Sequence, residues 1–129
     1  MYFRLMHKTG IYIVEHLESR PNGELVQVVN VITHPTQGDL HNRNEVENVF
    51  FHERRALSFK EKRIVDKNLL KPYEEDIISY EASLQNALFK MEDKLNKEDS
   101  AFNQQSLKML QNLKSEYERQ YKVKFQVCL

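Results

Sequence analysis

Residues 10–32 read GIYIVEHLESRPNGELVQVVNVI, and this stretch decides the fold of the first part of the chain. Its first run, from Ile11 to Leu17, is rich in β-branched and aromatic residues, which favour strands. The turn signal Pro21-Asn22-Gly23 follows, and a second apolar run extends from Leu25 to Ile32. The stretch therefore predicts two strands joined as a β-hairpin.

Outward from this hairpin, glycine and proline divide the chain near Pro72. All three glycines lie in the first 38 residues, and all three prolines lie at or before residue 72. Because these residues mark turns, residues 1–72 are predicted to be turn-rich. Residues 46–51 predict a third strand, whereas residues 57–59 and 64–65 are too short to assign. Several short strands joined by turns predict a small β-barrel, which closes its own edges.

The chain beyond Pro72 predicts two helices. Within residues 77–97 the apolar side chains of Leu84, Leu88, Met91 and Leu95 follow one another at intervals of four, three and four, which place them on one helical face.

Ser100 is the predicted N-cap of the second helix. The apolar face of that helix comprises Leu107, Leu110, Leu113 or Lys114, Tyr117 and Tyr121, widened by Phe102 and Met109. Two helices with one stripe each predict an antiparallel hairpin that buries both stripes and leans on the barrel. Residues 122–129 predict either a last strand or a frayed tail.

Composition limits the classes of function. The chain has 129 residues, with 19 basic and 19 acidic side chains, and zero net charge argues against bulk electrostatic binding to nucleic acid or membranes. The single cysteine, Cys128, cannot form an internal disulfide, which fits a reducing compartment. The chain shows no secretory signal and no apolar run of membrane-spanning length, so we expect a cytoplasmic protein.

The sequence offers residues for two kinds of reactive site. His34, Asp39, His41 and His52 offer imidazole and carboxylate groups for a metal, but their spacing matches no standard zinc pattern, so ordinary hydrogen bonding is favoured. Glu53 beside His52 has the residue types of an acid–base pair, but neighbouring strand residues point to opposite faces. With no catalytic motif, the sequence predicts a protein that is not an enzyme and binds no cofactor.

The one basic cluster combines Arg54-Arg55 with residues 60–63, which read KEKR. With the aromatic residues Phe50, Phe51 and Phe59, it offers the alternative of an RNA-binding barrel. Because the glutamates at positions 53 and 61 interleave with these charges, a solvated face or a contact with a partner protein is favoured.

Two segments, HPTQGDLHN at 34–42 and FHERRALSF at 51–59, are more distinctive than their composition. Together with HKTGIYI at 7–13, KPYE at 71–74 and YEASL at 80–84, they resemble the kinase-associated protein B family of Gram-positive bacteria. The resemblance implies an SH3-like barrel followed by helices. It also implies an accessory protein that activates a membrane sensor histidine kinase feeding the sporulation phosphorelay.

The resulting expectation is an α+β protein, with a small SH3-like β-barrel in residues 1–72 and a C-terminal antiparallel α-helical hairpin with a short tail in residues 73–129. Its expected function is that of a non-enzymatic regulatory adaptor, with a nucleic-acid-binding SH3-like module as the alternative. The expected partner is a sensor histidine kinase or another signalling protein, which would hold the chain at the inner face of the cell membrane. A homo-oligomer is left open.

The hypothetical interaction surface consists of polar residues in the two distinctive segments. These are His34, Gln37, Asp39, His41, Asn42, His52, Glu53, Arg54 and Arg55. The open alternative is that they brace the barrel, with Asp39 and Asn42 capping a turn and Arg54 or Arg55 forming a salt bridge over the loop.

Overall fold

The computed structural model describes residues 1–38 and 53–125. In chain order these form strands β1 (Tyr2–His7), β2 (Gly10–Arg20), β3 (Gly23–Thr33) and β4 (Lys62–Val65), a 3₁₀ turn (Lys67–Leu69), strand β5 (Leu70–Tyr73), and helices α1 (Tyr80–Asn96) and α2 (Ala101–Tyr121). The third strand predicted at residues 46–51 lies outside the described residues.

Strands β2 and β3 form the predicted hairpin, and each extends beyond the apolar run that predicted it. Arg20 pairs with Gly23, so Pro21 and Asn22 make the turn. Gly23 opens β3 at φ +140°, and a Cβ there would lie 2.8 Å from the Val65 carbonyl oxygen. Three register shifts between the two strands bend the hairpin, because each one breaks the regular ladder.

The five strands form one antiparallel sheet in the order β4-β3-β2-β1-β5. The first residues of the chain form strand β1. Of the two segments that were too short to assign from the sequence, Ile64-Val65 belong to β4, whereas residues 57–59 form no strand. Pro72, the predicted boundary, lies inside the edge strand β5, where a residue without an N–H is tolerated. Among the described residues no pairing joins β4 to β5, so the SH3-like barrel stays open along that line.

Both helices begin at a serine cap. The Ser79 hydroxyl accepts the backbone N–H of Ala82, which starts α1 at Tyr80 rather than at the predicted Ile77. The Ser100 hydroxyl accepts the N–H of Asn103, as the sequence predicts for α2.

The helices form the predicted antiparallel hairpin. The Asn103 side chain of α2 donates to the Leu95 carbonyl at the end of α1, and Tyr80 at the other end of α1 packs on Tyr121. After Tyr121 the chain leaves the helix, and residues 123–125 form no strand. The α+β class is thus confirmed.

One hydrophobic core joins the sheet to the helices. Strand side chains such as Leu5, Tyr12 and Val28 are fully buried in the same cluster as Leu84 and Leu110. All four residues of the predicted α1 stripe are buried there, as are Leu110, Leu113 and Tyr117 of α2. Each layer therefore covers the apolar face of the other.

Candidate protein-interaction site

Five of the nine predicted interaction residues lie in the described part of the chain, and the fold brings them together. His34 and Gln37 belong to the loop after β3, and Glu53, Arg54 and Arg55 belong to a segment that runs beside that loop. The other four, Asp39, His41, Asn42 and His52, lie outside the described residues. The five do not play equal parts, because two are buried and three reach the surface or its edge.

His34 is fully buried between its own loop and α2. Its Nδ1 lies 3.0 Å from the Pro35 carbonyl oxygen, and its Nε2 lies 2.9 Å from the Tyr117 hydroxyl. Because a carbonyl can only accept, Nδ1 carries the proton and Tyr117 donates to Nε2. Both ring nitrogens are therefore occupied by the protein itself, which leaves neither for a metal.

The surroundings of His34 keep it neutral. Burial, which disfavours the charged ring, lowers the pKa of His34 from 6.5 to about 4. The positive charge of Arg55 also lowers the pKa, and the hydrogen bond to the Pro35 carbonyl opposes these effects. The ring thus acts as an uncharged hydrogen-bonding bridge at neutral pH.

Gln37 is buried and ties the two segments together. Its Nε2 donates to the Arg54 carbonyl oxygen at 2.9 Å, and its Oε1 accepts from the Arg54 N–H at 2.8 Å. The side-chain amide therefore bonds Arg54 as a neighbouring strand would. Arg54 also donates from Nε to the Gly38 carbonyl oxygen, at 3.1 Å. These contacts brace the loop, although Arg54 does so through a hydrogen bond to a backbone carbonyl and not through a salt bridge.

Residues 56–59 have no regular secondary structure, and tyrosine hydroxyls hold their backbone. The N–H groups of residues 56, 57 and 59 donate to the hydroxyls of Tyr117, Tyr12 and Tyr121 at 2.9, 3.3 and 3.4 Å. The Tyr80 hydroxyl donates to the carbonyl oxygen of residue 57. We call this arrangement the tyrosine clamp. It matters because backbone groups buried without a partner are strongly unfavourable.

The tyrosine clamp was missed at the level of sequence. Periodicity places Tyr117 and Tyr121 on an apolar helix stripe, and no sequence pattern gives Tyr12 or Tyr80 a hydrogen-bonding role. The available signal was chemical, because a buried tyrosine usually needs a hydrogen-bond partner for its hydroxyl. Burial raises the pKa of Tyr12 to about 12, and it raises the pKa values of Tyr80 and Tyr117 as well, so all three hydroxyls stay protonated at neutral pH.

Arg55 is exposed and lies against α2. Its Nη1 forms an ion pair of 2.9 Å with Glu116 Oε2, and its guanidinium lies 5.0 Å from the centre of the Tyr117 ring. A further hydrogen bond joins it to Gln120. The guanidinium is thereby held in one place while its edge faces solvent.

Glu53, Arg54 and Arg55 line a cleft of about 210 Å³ between their segment and the β1–β2 turn. We call it the basic cleft; it is lined by His7, Lys8, Thr9, Tyr12, Pro35, Glu53, Arg54, Arg55, Leu57 and Arg63. Four of these side chains carry permanent positive charge, against one carboxylate. Arg63 is paired with Glu61 at 2.7 Å and Arg55 with Glu116, which reduces the field that a nucleic acid would meet.

Few histidine and carboxylate side chains line the basic cleft. Burial lowers the pKa of His7 in the basic cleft, and the charges of Arg63 and Lys8 lower it further. Within residues 1–38 and 53–125, no group of three or more His, Cys, Asp or Glu side chains could hold a metal ion. The same residues include no helix that is long and apolar enough to cross a membrane.

Comparisons with known proteins agree on one family. The family model described as kinase associated protein B matches residues 7–118. The chain is 41% identical over 111 residues to kinase-associated lipoprotein B of Bacillus subtilis (strain 168), which covers 86% of this chain and 87% of the relative. It also resembles the crystal structure of kinase-associated protein B from Bacillus cereus, with 37% identity, a TM-score of 0.76, and coverage of 91% of this chain and 94% of that one.

Proposed function

The chain belongs to the kinase-associated protein B family, and from that membership we propose that it is a non-enzymatic accessory protein that binds and activates a sensor histidine kinase. The kinase would be one that feeds the sporulation phosphorelay. The partner would hold the chain at the inner face of the cell membrane, and no step would require catalysis by the chain itself.

The observation that carries this proposal is the fixed position of Arg55, whose guanidinium bonds Glu116 and Gln120 of α2. Arg55 and the nearby Glu53 are both exposed, and they precede a segment whose backbone is held by the tyrosine clamp. Charged groups held in place before binding lose less conformational entropy when a partner docks. Arginine is also among the residues that most often dominate protein–protein interfaces. The interaction hypothesis thus rests on these exposed residues. The buried side chains of His34 and Gln37 stabilise the segment that carries them.

The contacts of His34 support a role without catalysis. A general base needs a free nitrogen within reach of substrate, but both nitrogens of His34 are bonded inside the protein. The cleft residues instead offer a guanidinium, a carboxylate and an ammonium group at the surface, which suits recognition of a folded protein.

A direct binding measurement tests the proposal. The purified cytoplasmic part of the host's sensor kinase would be titrated with wild-type protein and with Arg55→Ala and Glu53→Ala variants. We expect each variant to bind about tenfold more weakly, because each loses a charged contact at the interface. Kinase autophosphorylation should rise on addition of wild-type protein and rise less with the variants.

Arg20→Ala is the matched control. Arg20 is also exposed and also forms an ion pair, with Glu18 at 2.6 Å, but it lies at the far tip of the β2–β3 hairpin. Unchanged binding by Arg55→Ala and Glu53→Ala, with melting temperatures equal to that of Arg20→Ala, would exclude the basic cleft as the contact surface. Absence of any binding by the wild type would exclude the kinase as partner.

A further inference from the structure

The face of the sheet that turns away from the shared core carries a second surface of distinct character. Strand residues alternate between faces, so Arg4 and Met6 lie opposite the fully buried Leu5 of β1. Lys71 of β5 pairs directly with Arg4 and therefore lies on the same face. We call this surface the outer sheet face.

Two adjoining cavities open on the outer sheet face. One of about 660 Å³ is lined by Arg4 and Lys71 and extends to Ile78 before α1 and Lys90 on that helix. The other, of about 280 Å³, is lined by Met6 and Leu69. Arg4 and Lys71 line both, so the two cavities adjoin at these side chains, and we call them together the groove.

The cations of this groove have no partners in the described part of the chain. The side chains of Arg4, Lys71 and Lys90 take part in none of its ion pairs or hydrogen bonds. Like charges directly opposite on neighbouring strands destabilise a sheet, and Arg4 and Lys71 are such a pair. Incoming carboxylates would relieve this repulsion.

Apolar side chains flank the cations. Met6 is 61% exposed, Leu69 is 50% exposed and Ile78 is 45% exposed, although each is a large hydrophobic residue. Exposed apolar groups gathered beside unpaired charges are typical of binding surfaces. The groove therefore offers two kinds of contact at once.

We propose that the outer sheet face is a docking groove for an acidic, apolar segment of a partner protein, with carboxylates on Arg4 and Lys71 and apolar side chains on Met6 and Leu69. The proposal concerns a different face from the basic cleft and does not depend on it. Glu75 and Asp76 also line the larger cavity. A peptide can direct its carboxylates away from these two acids, whereas a uniformly anionic lipid surface would be repelled and would not enter the concave groove.

Two labelled peptides test this groove. One is amphipathic, with glutamates alternating with leucine clusters, and the other has lysine in place of each glutamate. Binding would be followed by fluorescence anisotropy at two salt concentrations and by backbone amide NMR shifts on the full chain. We expect the acidic peptide alone to bind, more weakly at high salt, with shifts concentrated at residues 4, 6, 69, 71 and 78.

Charge reversal locates the interaction. The Arg4→Glu/Lys71→Glu double variant should bind the acidic peptide about tenfold or more weakly. Lys94→Glu/Lys108→Glu is the matched control, because it makes the same charge change at exposed helix positions and should leave binding unchanged. A milder Arg4→Gln/Lys71→Gln variant serves if the reversed one does not fold.

Three results would overturn the proposal: equal binding of the two peptides, equal loss in the control variant, or amide shifts elsewhere on the surface. Binding to phosphatidylglycerol vesicles without binding to the acidic peptide would reassign the outer sheet face to a membrane.

Discussion

At the scale of single residues, two side-chain amides make the pair of backbone hydrogen bonds that a neighbouring strand would otherwise make. Gln37 bonds both backbone groups of Arg54, and Asn30 does the same for Ile78, donating to its carbonyl at 2.8 Å and accepting its N–H at 3.3 Å. Both amides are buried, and both bonded partners lie in irregular segments. Because an irregular segment has no ladder of its own, these amides decide where each one lies against the sheet.

His34 predicts a pH dependence of stability. Its folded pKa of about 4 lies below the ordinary value of 6.5, so between these values the unfolded chain binds a proton that the folded chain does not. Stability must therefore fall as the pH drops through this window, by about 2 kcal/mol between pH 7 and pH 5. Urea unfolding at the two pH values measures this loss.

A His34→Gln variant serves as the control for that measurement. Glutamine cannot titrate, so the variant should lose less stability than the wild type over the same interval, whatever its starting value. If both proteins lose the same free energy of unfolding, His34 is already solvated or charged in the folded state.

At the scale of elements, the tyrosine clamp explains how residues 56–59 keep their shape without belonging to the sheet. Tyr117→Phe should destabilise the protein by about 3 kcal/mol, because it leaves the Ala56 N–H and the His34 Nε2 without partners in a buried place. Chemical denaturation measures the change. Tyr121→Phe is the matched control and should have a much smaller effect, since its bond of 3.4 Å to the Phe59 N–H is long and exposed.

Losses close to zero in both phenylalanine variants would mean that the aromatic rings, which both variants keep, and not the hydroxyl groups, hold the segment. A larger loss in Tyr117→Phe that disappears in the His34→Gln background would instead show that the His34 bond carries most of the effect.

Hydrophobic periodicity, helix caps and the positions of glycine and proline predicted those elements whose sequence signals are local. The spacing from Leu84 to Leu95, the Ser100 cap and the turn at Pro21 each operate within a few residues, and each was right. Strand β5 was missed because Pro72 argues against a strand unless the strand lies at an edge, and edges are not visible in a sequence.

The start of α1 and the candidate site show the same limit. Ile77 fits an apolar helix pattern, but the cap at Ser79 places the start at Tyr80. In the site, the residue types at 34, 37 and 53–55 stood out, but the pairing of Gln37 with Arg54 joins positions 17 apart, and no periodicity carries that information.

At the scale of the whole molecule, the sheet and the helices share one core. Tyr80, Leu84 and Leu88 of α1 and Leu110 of α2 are buried with Tyr12 and Val28 of the sheet. Residues 1–73 alone should therefore show no cooperative thermal transition by circular dichroism, because exposing that apolar face removes a large part of the buried area. The full chain should unfold in a single transition.

Mixing residues 1–73 with residues 74–129 provides the control. Partial recovery of the tyrosine near-ultraviolet signal is expected, since the two pieces retain complementary apolar faces. A cooperative transition in residues 1–73 alone would show that the sheet is an independent domain.

The tyrosine clamp also has a consequence for the nascent chain. Its hydroxyls come from positions 12, 80, 117 and 121, so the segment they hold is complete only when the last helix has been made. At ordinary rates of translation roughly 3 to 12 s separate the synthesis of residue 59 from that of Tyr121. During that interval the backbone of residues 56–59 and the inner face of the sheet lack their partners, so we expect the ribosome-bound intermediate to expose apolar surface of the kind that chaperones bind.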